Sequence, residues 1–340
     1  MAAGVNDDEV ENEVDEALDA LIIAVDLDGL VRLVDQRCAS RDWAGLLHLR
    51  NRSRWAVSTG RQLWPAATLA EYRLALLAPA EWAAQVLDEG SGRHSIGPLT
   101  EVIAQSHTWE SLRPHLPVGP RAAFAALERA LRGEVVERGD LPDVLEMPFA
   151  LQPWEPQYQL AEYAENEATY DAPPRPTSLS FGFSSIANTG EVMDDENVDL
   201  AIRQLVDAWT AESNGQAEVV CVAGVATDAV AALGVCRVRL TPISAQLALA
   251  WLAWAGASGG AQGRRRGAAL GRFGAWWVVA ALGGELDSWP LHPDDAGALA
   301  EKLRWYWFDA GEPALGWELQ LAVELPEEGL AWAISARDAA

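Results

Sequence analysis

Four arginines within nine residues, Arg264, Arg265, Arg266 and Arg272, stand in a glycine-rich stretch running from Gly256 to Arg272, in a chain whose formal net charge is −25. Guanidinium forks match the oxygens of phosphate or carboxylate, glycines let a backbone approach a ligand closely, and a helix N-terminus directs partial positive charge at an anion. On this reading Gly263 and Gly267 open space, Arg264, Arg265, Arg266 and Arg272 clamp a phosphorylated or carboxylated ligand, and a helix over 268–282 adds its dipole. A second reading stays open, a solvated basic turn between two helices. The stretch lacks the lysine and hydroxyl of a Walker A loop, and it follows a helix, unlike a Rossmann fingerprint.

Other chemistry-bearing residues are scattered. His48, His94, His107, His115 and His292 show no metal-ligand spacing. Ser106, His107 and Glu110 are the right types for acid–base work, and they also suit a polar helix end. No G-x-S-x-G elbow occurs, and Asp26-Leu-Asp28-Gly29 lacks the rest of an EF-hand loop. Cys38, Cys221 and Cys236 have no C-x-x-C spacing, which argues for reduced thiols and against a zinc knuckle. Arg50 and Arg54 lie at i,i+4 with Arg61 near the same face, a stripe suited to nucleic acid, to the chain's own acidic tail, or to water.

Charge is unevenly placed. Residues 1–31 hold ten acids and no base, and residues 154–199 hold ten acids with only Arg175, so these two segments supply −19 of the −25. Such acidity opposes general nucleic-acid binding. Bases comprise 24 arginines and one lysine, Lys302, a bias of high-GC coding that weakens the meaning of any single arginine. No leader-like basic start and apolar run opens the chain, and the expected location is cytoplasmic. Residues 240–263 carry no charge, yet glycines, Pro242 and polar side chains dilute the run, so a soluble core helix is expected and a membrane-interacting apolar hairpin is the lesser alternative.

The elements that must position these residues divide into four segments: an acidic tail over 1–14, an α-helical domain over 15–139, a proline-rich acidic connection over 140–178 and an α/β domain over 179–340. In the first half, apolar spacing predicts helices near 15–34, broken at 26–29, and over 42–59, 67–77, 80–87, 99–105 and 121–131, in a right-angled or HEAT-like arrangement without a fixed repeat. In the connection, Trp154, Tyr158, Tyr163 and Tyr170 are candidate anchors. Beyond it, strands are expected over 178–186, 217–224, 235–240, 317–325 and 330–336, with helices over 198–211, 226–233, 244–255, 268–282 and 293–305. The last two strands form a hairpin. The fold class is therefore two-domain α+β or α/β, with a layered, mixed sheet in the C-terminal half.

The blocks Gly97–Trp109, Gly263–Trp277 and Leu303–Pro313 resemble those of an uncharacterised family of actinobacterial proteins with no assigned function. The resemblance implies a high-GC bacterial source and carries over no activity, cofactor or site. The expected function is recognition without catalysis, in which the Gly/Arg loop binds an anionic small molecule or protein partner. The alternative is an enzyme acting on a phosphorylated or nucleotide-like metabolite. The sequence names no cofactor and does not fix the oligomeric state.

Overall fold

A computed structural model describes residues 7–176, 182–313 and 316–339. Residues 1–6 of the expected tail, 177 and 178 of the expected connection and 178–181 of the expected strand over 178–186 lie outside the described residues. The fold is mixed α+β, with helices dominating the N-terminal half and a large sheet the C-terminal half. Two compact units form: one runs to Ala125 and takes in Tyr163–Ala168, and the other comprises Ala126–Glu162 and the chain from Thr169 on.

The first half contains α1 (Asp7–Ala24), α2 (Leu27–Ser40), α3 (Trp43–Ser58), α4 (Trp64–Leu77), α5 (Ala80–Ala83), α6 (Leu99–Ser106), α7 (Trp109–Leu112) and α8 (Pro120–Leu131), the last belonging to the second unit from Ala126 onward. The break between α1 and α2 comes where Val25 takes φ 55° and Asp26 caps α2 by accepting from the Gly29 N–H at 2.9 Å. Asp42 caps α3 in the same way through Gly45. Helix lengths scatter between 18 and 4 residues with no repeating unit, so the HEAT-like arrangement finds no support in them.

In the first unit α4 is buried on nearly every face, as the central helix of a small bundle must be. It carries two charges inward. Glu71 accepts from Arg50 Nε at 3.1 Å and from the Gly92 N–H at 2.8 Å, while Arg73 pairs with Glu165 and donates to Asn166 at 2.9 Å. Two arginines of the stripe are tied to the chain's own acids. Arg50 is buried against Glu71 and Asp88, Arg54 donates to Asp88 at 2.8 Å, and Arg52 pairs with Asp19 of α1. His107 closes α6 and Thr108 caps α7 through the Ser111 N–H, which makes this stretch a polar helix end.

The second unit is built on a seven-stranded sheet. Chain order gives, after the short ribbon of β1 (Glu162–Tyr163) and β2 (Ala168–Thr169), the strands β3 (Ser184–Ser185), β4 (Glu191–Met193), β5 (Gln216–Ala223), β6 (Arg237–Ile243), β7 (Arg304–Asp309), β8 (Trp317–Leu325) and β9 (Leu330–Asp338). Their spatial order is β3-β6-β7-β8-β9-β5-β4, and all six neighbouring pairs are antiparallel. This corrects the expected mixed sheet. Strands β5 and β6, which α11 (Ala226–Ala232) joins, do run in one direction, but β9, β8 and β7 lie between them, so no parallel neighbours result.

Helices cover both faces. Leu319, Leu321, Val323 and Leu325 of β8 and Trp332, Ile334 and Ala336 of β9 point into a large core with α9 (Glu196–Leu205), α12 (Ala245–Ala257) and α13 (Ala268–Leu282). The alternate residues Ala322, Ala331 and Ala333 meet α11 on the other face. The connection between α9 and β5 contains α10 (Asp207–Ala211), and α14 (Pro293–Lys302) precedes β7. Helices α12 and α13 approach closely because Gly271 has no side chain: a Cβ there would lie 2.2 Å from the Ala253 carbonyl oxygen and 2.7 Å from Ala257 Cβ. The uncharged run over 240–263 is thus the end of β6, the core helix α12 and part of a loop. Among the described residues no helix is long and apolar enough to cross a membrane.

The charge cluster of the first unit has a pH consequence. Burial pushes the Asp88 carboxyl up, but hydrogen bonds from Arg50 and Ser91 and the charges of Arg50 and Arg54 outweigh it and hold the group down, from the ordinary 3.8 to about 2. A depressed carboxyl stabilises the fold above its unfolded-state pKa, and that stabilisation fades as pH falls from 3.8 toward about 2. Asp88→Asn is expected to lower the urea midpoint at pH 7 and to flatten the acid limb in that window, measured by denaturation at stepped pH.

Candidate anion-binding loop and adjoining cleft

The loop between α12 and α13 is packed against the chain's own acids. The Ala261 N–H donates to Asp338 Oδ2 at 2.6 Å, and the Arg264 N–H donates to Glu212 Oε2 at 2.8 Å. At the start of α13, the Ala269 N–H donates to Glu128 Oε1 at 2.9 Å. The helix terminus that sequence reasoning offered to a ligand therefore holds a buried carboxylate of this chain, which satisfies both the N–H and the dipole.

The glycines serve the same packing. Gly260 has φ 65° and a Cβ there would fall 2.2 Å from Asp338 Oδ2; at Gly263 a Cβ would fall 2.4 Å from the Ala208 carbonyl oxygen. The room that Gly263 leaves is filled by backbone. Gly267, at φ 99°, turns the chain into α13, and the N–H groups of Arg266 and Gly267 both donate to the Ala257 carbonyl.

The four arginines occupy different surroundings. Arg272 is buried and donates through Nε and Nη2 to the two oxygens of Glu155, each at 2.8 Å. Its remaining donors reach the carbonyls of Pro148 at 2.7 Å, Phe149 at 3.2 Å and Ala150 at 3.0 Å, so all five guanidinium N–H groups are used within the chain. Glu155 also accepts from Trp276 Nε1, from the Gln152 N–H at 2.9 Å and from the Tyr158 hydroxyl at 3.3 Å. Burial first, and then the Glu155 carboxylate, push the Tyr158 phenol well above its ordinary value, which keeps it a neutral donor. The side chains of the pair are 1% and 0% exposed.

Arg265 lies 3.6 Å above the Tyr170 ring, which itself stacks on Trp254 with centroids 6.0 Å apart. Arg264 is exposed beside Glu212. Arg266 donates through Nη1 to the Gln204 carbonyl at 2.9 Å and lines a cleft of about 360 Å³. Leu205, Leu270, Phe273 and Trp277 supply the apolar walls of that cleft, and Gln204 and Asp207 its polar edge. The Gly/Arg sequence pattern marks out Arg266 but not these walls. Their signal was present in Phe273 and Trp277, one helical turn apart on α13, but the sequence does not show that α9 faces them.

The connection's aromatic residues act as anchors within their own units. In the second, Trp154 packs on Trp276 with centroids 4.8 Å apart and donates to the Pro293 carbonyl at 3.0 Å. In the first, Tyr163 donates through its hydroxyl to Glu101 at 2.6 Å. Among the described residues no group of three or more His, Cys, Asp or Glu is placed to hold a metal ion.

Residues 28–340 match the model of a family of unknown function, DUF6183. The chain belongs to this family. No curated protein and no solved structure matches the chain significantly, so membership brings no activity, ligand or site residue.

The Glu155–Arg272 pair and the exposed Arg264 should differ sharply on mutation. Removing one partner of a buried pair costs about 3–5 kcal/mol because the other charge stays buried without its counterion. Glu155→Ala is expected to destabilise by that order in chemical denaturation, whereas Arg264→Ala, on the exposed surface, should change stability by no more than about 0.5 kcal/mol. Equal effects would contradict the assigned roles.

Proposed function

We propose that the second unit is a recognition module without catalysis of its own, which binds an anionic small molecule or an anionic group of a protein partner through Arg266. The observation that carries the reading is the contrast among the arginines. Arg272 is saturated by Glu155 and three carbonyls, and Arg265 lies on Tyr170, whereas Arg266 borders a cleft large enough for a small ligand. Among the described residues lining that cleft, Asp207 is the one ionisable group besides Arg266, which favours binding over a reaction on a phosphorylated or nucleotide-like metabolite. Three thiols without a disulfide suit a cytoplasmic protein.

One guanidinium at the surface contributes about 0–1 kcal/mol to an ion pair, short of the roughly 4 kcal/mol of a millimolar complex, so a bare anion should bind more weakly than about millimolar. Titration with acetate, phosphate and citrate, followed by NMR, is the test. Saturable shifts that weaken as sodium chloride rises are expected in the native protein and in Arg264→Ala, and their loss in Arg266→Ala. Identical curves in native protein and Arg266→Ala would refute the reading.

A further inference from the structure

The cleft beside Arg266 carries more information than a charge. Phe273 and Trp277 stand one turn apart on α13 with ring centroids 6.0 Å apart and planes 23° from parallel. Trp289 meets both edge-on, at 5.6 Å from Phe273 and 5.1 Å from Trp277, and is not among the residues that line the cleft. Both rings are half-buried, so each keeps some surface for a ligand. Leu205 and Leu270 add aliphatic walls, and Gly256 and Gly274 bring the helix backbones up to Leu205, where a Cβ on either would lie 2.6 Å from its Cδ1. These glycines make the apolar side of the cleft narrow.

The polar side is sparse and nearly neutral. One guanidinium, Arg266, is opposed by one exposed carboxylate, Asp207, in the same lining. A dianion such as a phosphate monoester would meet one cation and one anion, in a chain that is already at −25. A single carboxylate suits one guanidinium, with the rest of the ligand seated on aromatic and aliphatic surface.

We infer that this cleft takes a monocarboxylate carrying a flat apolar group, its carboxylate on Arg266 and its flat group on Phe273 and Trp277. The inference rests on the reading of Arg266 as the anion contact. It adds the ligand's class: an aryl carboxylate or a molecule of the same amphipathic shape, in preference to inorganic anions and phosphate esters. In the complex the Arg266–Gln204 contact orients the guanidinium, and Asp207 excludes a second negative charge from the rim.

The test uses the full chain and four probes, naphthalene-2-carboxylate, the uncharged naphthalene-2-methanol, acetate and inorganic phosphate, titrated by calorimetry and ligand-observed NMR. The carboxylate is expected to bind at least about tenfold tighter than acetate and phosphate, a difference of about 1.4 kcal/mol, and up to about fivefold tighter than naphthalene-2-methanol, the most that one guanidinium at the surface adds. Trp277→Ala should lower naphthalene-2-carboxylate affinity about tenfold and leave acetate and phosphate unchanged. Leu270→Glu, at a half-buried position lining the cleft, should abolish naphthalene-2-carboxylate binding, with retained folding checked by circular dichroism. It keeps the test decisive where Trp277→Ala proves unstable.

Naphthalene-2-carboxylate binding no tighter than acetate, with both still dependent on Arg266, would overturn the ligand class and leave the anion reading intact. Phosphate binding tighter than the aryl carboxylate, or naphthalene-2-methanol binding as tightly as the carboxylate, would also overturn the class. Affinities untouched by Arg266→Ala would overturn both.

Discussion

The buried pair of Glu155 and Arg272 organises the second unit. It joins a proline-broken segment, 148–155, to the second turn of a core helix, and neither partner can leave without stranding a charge in apolar surroundings. Such a pair is weak evidence of net stabilisation, because desolvation opposes the attraction. Its effect is specificity of position. Five donors on a planar guanidinium meet acceptors from Pro148, Phe149, Ala150 and Glu155 in one arrangement, and Trp276 and Tyr158 close the remaining sides of the carboxylate.

From that fixed point the Gly/Arg loop follows. Once α13 is anchored, its first turn meets Glu128, and the loop before it rests on Asp338 and Glu212. The glycines are required because backbone passes within contact distance of backbone and carboxylate at Gly260 and Gly263. An acidic chain thus supplies its own anions to the places where a loop of this composition would hold a foreign one. Arg266 is left at the margin of this internal network, on a cleft that residues of α9 and α13 line.

Local pattern made much of the fold legible. Helix α13 and strand β8 occupy the residues their periodicity indicates, 268–282 and 317–325, and the turn over 326–329 joins the expected hairpin. Strand β7 was harder to read. Trp305 and Trp307 face one core while Phe308 and Tyr306 face the other, so the polar alternation that marks a strand is missing and only an aromatic cluster shows. Strand order was not legible either, since the excursion through α12, α13 and α14 returns to the neighbouring antiparallel strand. The partners of the site residues lie far away in sequence: Glu155 is 117 positions from Arg272, and Glu128 is 141 from Ala269. Composition reveals an excess of acids but not which arginine or helix end each one meets. The same limit hid the burial of Arg50, whose partners Glu71 and Asp88 come from other parts of the first unit.

The central claim is that internal carboxylates hold the Gly/Arg loop closed, and amide hydrogen exchange of the native protein tests it most directly. The N–H groups of Ala261, Arg264 and Ala269 should exchange far more slowly than an open loop allows, and Glu128→Gln should speed exchange at Ala269 more than at Ala261. Exchange of all three at the rate of an unstructured peptide would contradict the account, because the loop would then present its amides to solvent and to any anion dissolved in it.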